Sequence, residues 1–121
     1  MQIRVYYEDV DVGGVVYHSK YLNFCERARS EYFFQKGKLP VFDGYSFVVK
    51  KIEANFVKPA FFGDILEIKS VVRDLKKASL TMTQRVIKEE SEIFVMDVEL
   101  VCVKEGKIAK IPPYFLEVLQ G

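Results

Sequence analysis

Between Ser19 and Lys36, apolar residues recur every third or fourth position: Tyr21, Leu22, Cys25, Ala28, Tyr32 and Phe33. Lys20, Glu26, Arg27, Ser30 and Glu31 fall between them. That spacing predicts one helix with a single buried face. It is expected to stop near Lys36-Gly37, where glycine accepts the left-handed cap conformation and Pro40 follows. A helix of about 18 residues is roughly 27 Å long, enough to cross several strands, and its apolar stripe needs a sheet to lie on.

The rest of the chain supplies such a sheet. Residues 2–8 have strand character. Tyr45–Val57, Asp64–Asp74, Ala78–Lys88 and Glu92–Lys104 are rich in Val, Ile, Phe and Thr, with stretches of period two. The connections among these four, Pro59–Gly63, Leu75–Lys77 and Lys88–Ser91, are short enough for antiparallel neighbours. Pro112-Pro113 opens a last short helix, Tyr114–Leu119, because proline is tolerated in a first turn. The order β-α-β-β-β-β-α describes an α+β fold: a five-stranded antiparallel sheet against one long helix, with a short C-terminal helix. At 121 residues, 1–121 is expected to form a single domain.

Eighteen Lys+Arg against seventeen Asp+Glu leave a net charge of +1, so no bulk field draws the chain to nucleic acid or anionic lipid. No run approaches the roughly 20 apolar residues of a membrane span, and the N-terminus reads as a strand rather than a signal, so the cytosol is the expected address. Cys25 and Cys102 stand apart from each other and from any Cys/His cluster, so neither a metal site nor a disulfide is expected.

The chemistry-bearing residues precede the helix: Asp9-Val10-Asp11-Val12-Gly13-Gly14, then Val15-Val16-Tyr17-His18-Ser19. A carboxylate just before a helix start lies beside free backbone N–H groups at the positive end of the dipole. Such groups can polarise a thioester carbonyl while the carboxylate attacks it or activates water, and glycines let the backbone approach the substrate. The same residues also suit an ordinary acidic turn, and a histidine near a helix start can be a structural hydrogen-bonder.

The stretch "YYEDVDVGGVVYHSKYLNFCERARSEYF", Tyr6 to Phe33, resembles the signature of the YbgC-type acyl-CoA thioesterases, a branch of the 4-hydroxybenzoyl-CoA thioesterase family with the hotdog fold. The length and strand order beyond it also fit. The resemblance implies hydrolysis of acyl-CoA to a carboxylic acid and free coenzyme A, without a metal or a separate cofactor. Asp11, the second acid of the pair, takes the place of the catalytic nucleophile or general base. His18, with Tyr17 beside it, takes the place of the backbone donor to the thioester carbonyl. Val10 stands where threonine is commoner in this branch, removing one hydroxyl next to the acid.

Gly13, Gly14 and Val16 are then expected to line the substrate. Lys76 and Lys77, in the turn that aligns with the family's basic turn, are candidates for the coenzyme A phosphates, although such lysines can simply be solvated. Lys58, before Pro59, is a further candidate. Glu26 and Arg29 read as site-supporting or interface residues. Phe61 and Phe62 are open to an acyl tunnel, a subunit contact or core packing.

The family's habit implies a homodimer or homotetramer with active sites at the subunit interface. An acyl carrier protein is an alternative carrier of the acyl group. Two other functions remain open: a hotdog hydratase or dehydratase, and a non-catalytic acyl-thioester-binding scaffold. The first needs a histidine paired with an acid; the second does not need an intact Asp11.

Overall fold

A computed structural model describes residues 1–121. The long helix is present as α1, His18–Phe34, and it ends as the sequence requires. Gly37 takes φ 71°, its N–H donates to the Phe34 carbonyl, and the Lys38 N–H donates to that of Phe33. Those bonds satisfy carbonyls that the last turn would otherwise leave open.

The strands are β1 (Gln2–Arg4), β2 (Tyr45–Phe56), β3 (Ile65–Leu75), β4 (Ser79–Lys88), β5 (Ser91–Lys104) and β6 (Lys107–Ile108), followed by helix α2 (Pro113–Leu119). All pairings are antiparallel in the order β1-β3-β4-β5-β2, and β6 adds to the end of β5. Glu89 and Glu90, both at positive φ (48° and 71°), make the two-residue turn between β4 and β5. Positive φ at both central positions matches the twist of a tight hairpin.

Alternation along β5 sends Phe94, Met96, Val98, Leu100 and Cys102 into the core, against Tyr21, Phe24, Cys25, Ala28 and Phe33 of α1. Two aromatic clusters mark the ends of this contact. Tyr21 stacks on Phe94 with centroids 4.9 Å apart at the start of α1; Phe33, Phe47 and Phe115 meet at 4.9 to 6.2 Å at its end. The helix therefore runs antiparallel to β2, with His18 beside Phe56 and Phe33 beside Phe47.

Three features differ from the sequence reading. β2 pairs with β5 and not with β3, so the segment through Pro59–Gly63 crosses from the β2 edge of the sheet towards the other instead of closing a hairpin. The first strand ends at Arg4, and Tyr7–Asp9 forms a 3-10 turn. The Asp9 carboxylate accepts the Tyr6 N–H at 2.9 Å, a local bond that bends the chain out of the ladder. The sheet gains β6, a two-residue strand too short to carry a periodic signal. Both cysteines are buried and free, and burial pushes the Cys25 thiol up to about 12.

Candidate active site at the start of the long helix

The Asp11 loop is held by its own backbone. Asp11 Oδ1 accepts the Gly13 N–H at 2.8 Å and the Val15 N–H at 3.2 Å. The Asp11 N–H donates to the Val15 carbonyl and the Gly14 N–H to the Asp11 carbonyl. Gly14 sits at φ 79°, and a Cβ on Gly13 would lie 3.3 Å from Asp11 Oδ1, so the two glycines answer different demands. Asp11 Oδ2 has no hydrogen-bond or ionic partner in the chain.

Just beyond, Val10 and Val16 face each other in an antiparallel bridge, which brings the aspartate loop against the helix start. The donors there are used in sequence. The Val16 N–H goes to the Ala60 carbonyl at 2.9 Å, and the Tyr17 N–H to the Asp9 carbonyl at 3.1 Å. No acceptor meets the N–H groups of His18 or Ser19, and no side chain caps the helix. Tyr17, expected among the catalytic positions, thus has its backbone donor engaged; the open donors belong to His18 and Ser19.

A groove of about 330 Å³ opens beside these N–H groups, between the helix start and the end of β2. Val16, His18, Tyr21, Phe56 and Lys58 are on its walls. The His18 ring stands edge-on to Phe56 with centroids 6.5 Å apart and has no carboxylate partner. Asp11 is not on the groove wall; the two meet at Val15, which lines the groove and donates to Asp11.

Among the expected substrate contacts, Lys58 is brought to the site and Lys76-Lys77 is not. That turn joins β3 to β4 at the other end of the sheet, roughly 33 Å away along an extended strand of this length. Phe61 and Phe62 are exposed, not core residues: Lys88 Nζ lies 5.1 Å over the Phe61 ring, and Phe62 packs against Tyr7 with centroids 5.9 Å apart.

Two supports escaped the sequence reading. The Tyr21 hydroxyl accepts the Ala60 N–H at 3.1 Å, and burial raises the pKa of that phenol. Asp9 is 6 % exposed, and its Oδ1 lies 3.7 Å from Lys20 Nζ on the first turn of α1. Tyr21 reads in the sequence only as part of an apolar stripe, and Asp9 only as loop. No helix of the chain is long and apolar enough to cross a membrane, and no group of three or more His, Cys, Asp or Glu is placed to hold a metal ion.

A long helix laid across a curled antiparallel sheet, with an aspartate loop feeding its N-terminus, defines an α+β protein of the hotdog class. The pattern of the Thioesterase superfamily matches residues 13–95, and the chain belongs to that family. It is 38% identical over 114 residues to the acyl-CoA thioesterase YbgC of Helicobacter pylori, covering 94% of this chain and 75% of that protein. It is 39% identical over 112 residues to the acyl-CoA thioester hydrolase YbgC of Escherichia coli, covering 88% of this chain and 82% of the relative. The crystal structure of a hypothetical protein from Aquifex aeolicus superposes with a TM-score of 0.94 at 30% identity, over 98% of this chain and 97% of that one. A gentisyl-coenzyme A thioesterase, at 20% identity and a TM-score of 0.89 over 99% and 98% of the two chains, shares the fold.

Proposed function

We propose that the chain hydrolyses acyl-CoA thioesters to a carboxylic acid and free coenzyme A, with Asp11 as the reacting carboxylate. The observation that carries this reading is the asymmetry of the Asp11 carboxylate. One oxygen is fixed by two backbone N–H groups and the other has no partner in the chain, while the His18 and Ser19 N–H groups at the following helix start are also free. The YbgC relatives, named for the same reaction, support it.

In this reading the thioester oxygen sits on the His18 N–H, with Ser19 beside it. The helix dipole and the absence of competing acceptors stabilise the negative charge that develops there. Asp11 Oδ2 takes a proton from water as the water oxygen bonds to the carbonyl carbon. Collapse of the tetrahedral species breaks the C–S bond, and the departing thiolate takes the proton that Asp11 received, which restores the carboxylate. In the nucleophilic variant, Asp11 Oδ2 itself bonds to the carbonyl carbon, and the C–S bond breaks with departure of the coenzyme A thiolate. Water then hydrolyses the resulting mixed anhydride, giving the acid, restoring the Asp11 carboxylate and supplying the thiolate's proton. Gly13 keeps the space beside Oδ1 open, and Val16 and Phe56 wall the acyl groove.

His18 serves here through its backbone. A hydratase or dehydratase would need an imidazole paired with an acid, and the only histidine instead packs against Phe56. Lys58, on the groove wall, is the cation this chain offers to the coenzyme A phosphates; Lys76 and Lys77 would serve a site on a neighbouring copy. Such a copy fits the free edge of the sheet, where β2 exposes Val48, Val49, Ile52 and Phe56. Pairing of two β2 edges would cover an apolar strand edge and set two sites at a subunit interface. The test is thiol release from acyl-CoA by the wild type and by Asp11→Asn, with assembly checked by sedimentation.

A further inference from the structure

Eleven residues beyond His18, about 16 Å along the helix axis, α1 borders a second opening. This pocket has a volume of about 270 Å³ and lies between α1, the loop at Pro40-Val41 and the first half of β2. Phe33, Val41, Phe47 and Leu100 form an apolar wall; Arg29, Ser30 and Ser46 are its polar side.

The position of Arg29 is fixed from below. Gln84 is fully buried, and its Nε2 donates to the Cys25 carbonyl at 2.8 Å and to Ser70 Oγ at 3.0 Å. With the amide nitrogen committed, Gln84 Oε1 is left as an acceptor, and Arg29 Nη1 donates to it at 2.9 Å. That is the only hydrogen bond the guanidinium makes, although the group carries five N–H donors and is charged at any ordinary pH. No carboxylate lies within 4.0 Å of it. Glu26 is the only acid on the pocket's rim; it is exposed, and its charge acts on Arg29 from beyond hydrogen-bond reach. A partly buried guanidinium with one neutral acceptor and no hydrogen-bonded anion is an incomplete arrangement, because lost hydration is repaid best by a charged, hydrogen-bonding partner.

We propose that this pocket binds a small organic carboxylate with an apolar body, its carboxylate on Arg29 and its body against Phe33 and Phe47. The hydroxyls of Ser30 and Ser46, neither bonded within the chain, are the additional donors. Identifying the natural ligand with the acid released by hydrolysis rests on the function proposed above; the preference for a carboxylate rests on Arg29 alone.

Benzoate and its neutral isostere benzamide are the probes, titrated into the full assembled protein while backbone amide resonances are followed. Benzoate is expected to shift the signals of residues 29–33 and 46–49, and benzamide is not. Ser30→Asp, which places a carboxylate beside Arg29 without disturbing Gln84, is expected to abolish the benzoate shifts while the remaining spectrum stays folded. Arg29→Lys, losing the two-pronged contact, is expected to bind at least about tenfold more weakly. Equal binding of benzamide, undiminished binding by Ser30→Asp, shifts confined to residues 13–18, or no binding by the assembled protein would each overturn the proposal. Hydrolysis is measured separately as thiol release. Benzoate binding without thiol release would sink the enzymatic reading and leave the pocket standing.

Discussion

Ala60 is clamped between Val16 and Tyr21: its carbonyl accepts the Val16 N–H at 2.9 Å, and its N–H donates to the Tyr21 hydroxyl at 3.1 Å. The clamp ties the segment before β3 to both sides of the helix start, and it consumes the Val16 N–H, two positions ahead of the free His18 donor. Tyr21→Phe leaves the Ala60 N–H buried without an acceptor, which costs about 1 to 3 kcal/mol. Thermal unfolding should register that loss, and thiol release should fall with it. An unchanged melting temperature would mean that water or a shifted backbone replaces the hydroxyl.

Gly13 and Gly14 should fail in different ways when replaced by alanine. At Gly14, with φ 79°, a side chain meets no neighbouring atom but strains the backbone, costing about 1 to 2 kcal/mol of stability. At Gly13 the new Cβ presses on Asp11 Oδ1 from 3.3 Å, so the carboxylate must move. Gly13→Ala should therefore lower kcat with little change in melting temperature, and Gly14→Ala the reverse. Identical profiles for the two would remove the assigned difference.

The Cys25 thiol gives a pH signature. Its pKa rises from 9.0 to about 12 because burial disfavours the thiolate. Above pH 9 the unfolded chain gives up this proton while the folded chain keeps it, so stability present below pH 9 is lost as pH rises towards 12. The slope attributable to this group reaches about 1.4 kcal/mol per pH unit. Urea unfolding from pH 8 to 11 should show it, and Cys25→Ala should flatten the curve in that window. A mutant curve parallel to the wild type would assign the alkaline loss to other groups.

The position of Lys58 beside the helix start, and of Lys76-Lys77 at the far end of β3, separates their roles. Lys58→Ala should raise KM for acyl-CoA several-fold and leave KM for a truncated thioester without phosphates unchanged. Lys76→Ala with Lys77→Ala should do the same only when neighbouring copies are assembled. Equal changes for both thioesters would take the lysines out of phosphate binding.

Much of this was legible in the sequence because it rests on periodicity. The stripe from Tyr21 to Phe33 dictates α1, and the alternation in β4 and β5 dictates the sheet. Asp11 stands out through the resemblance of the stretch from Tyr6 to Phe33 to the thioesterase signature, since its local chemistry alone suits an ordinary acidic turn as well. The remainder depends on contacts remote in sequence. The Ala60 carbonyl that takes the Val16 N–H, the Tyr21 hydroxyl under Ala60, and the Gln84 amide beneath Arg29 are polar links across 39 to 55 positions. A one-dimensional pattern carries no trace of such links. β1 fell short of its expected length for a local reason, since the Asp9 carboxylate offers the Tyr6 N–H an alternative to the ladder.

The central claim is that the free oxygen of Asp11 performs the chemistry. Its most direct test is single-turnover release of free thiol from an acyl-CoA by wild type and Asp11→Asn, at matched melting temperature and assembly. The asparagine keeps an Oδ1 acceptor for Gly13 and Val15 and replaces the basic oxygen with an amide, so the loop stands and the chemistry goes. A rate lower by at least about a hundredfold is predicted, the scale of losing a general base. A mutant rate equal to the wild type would contradict it.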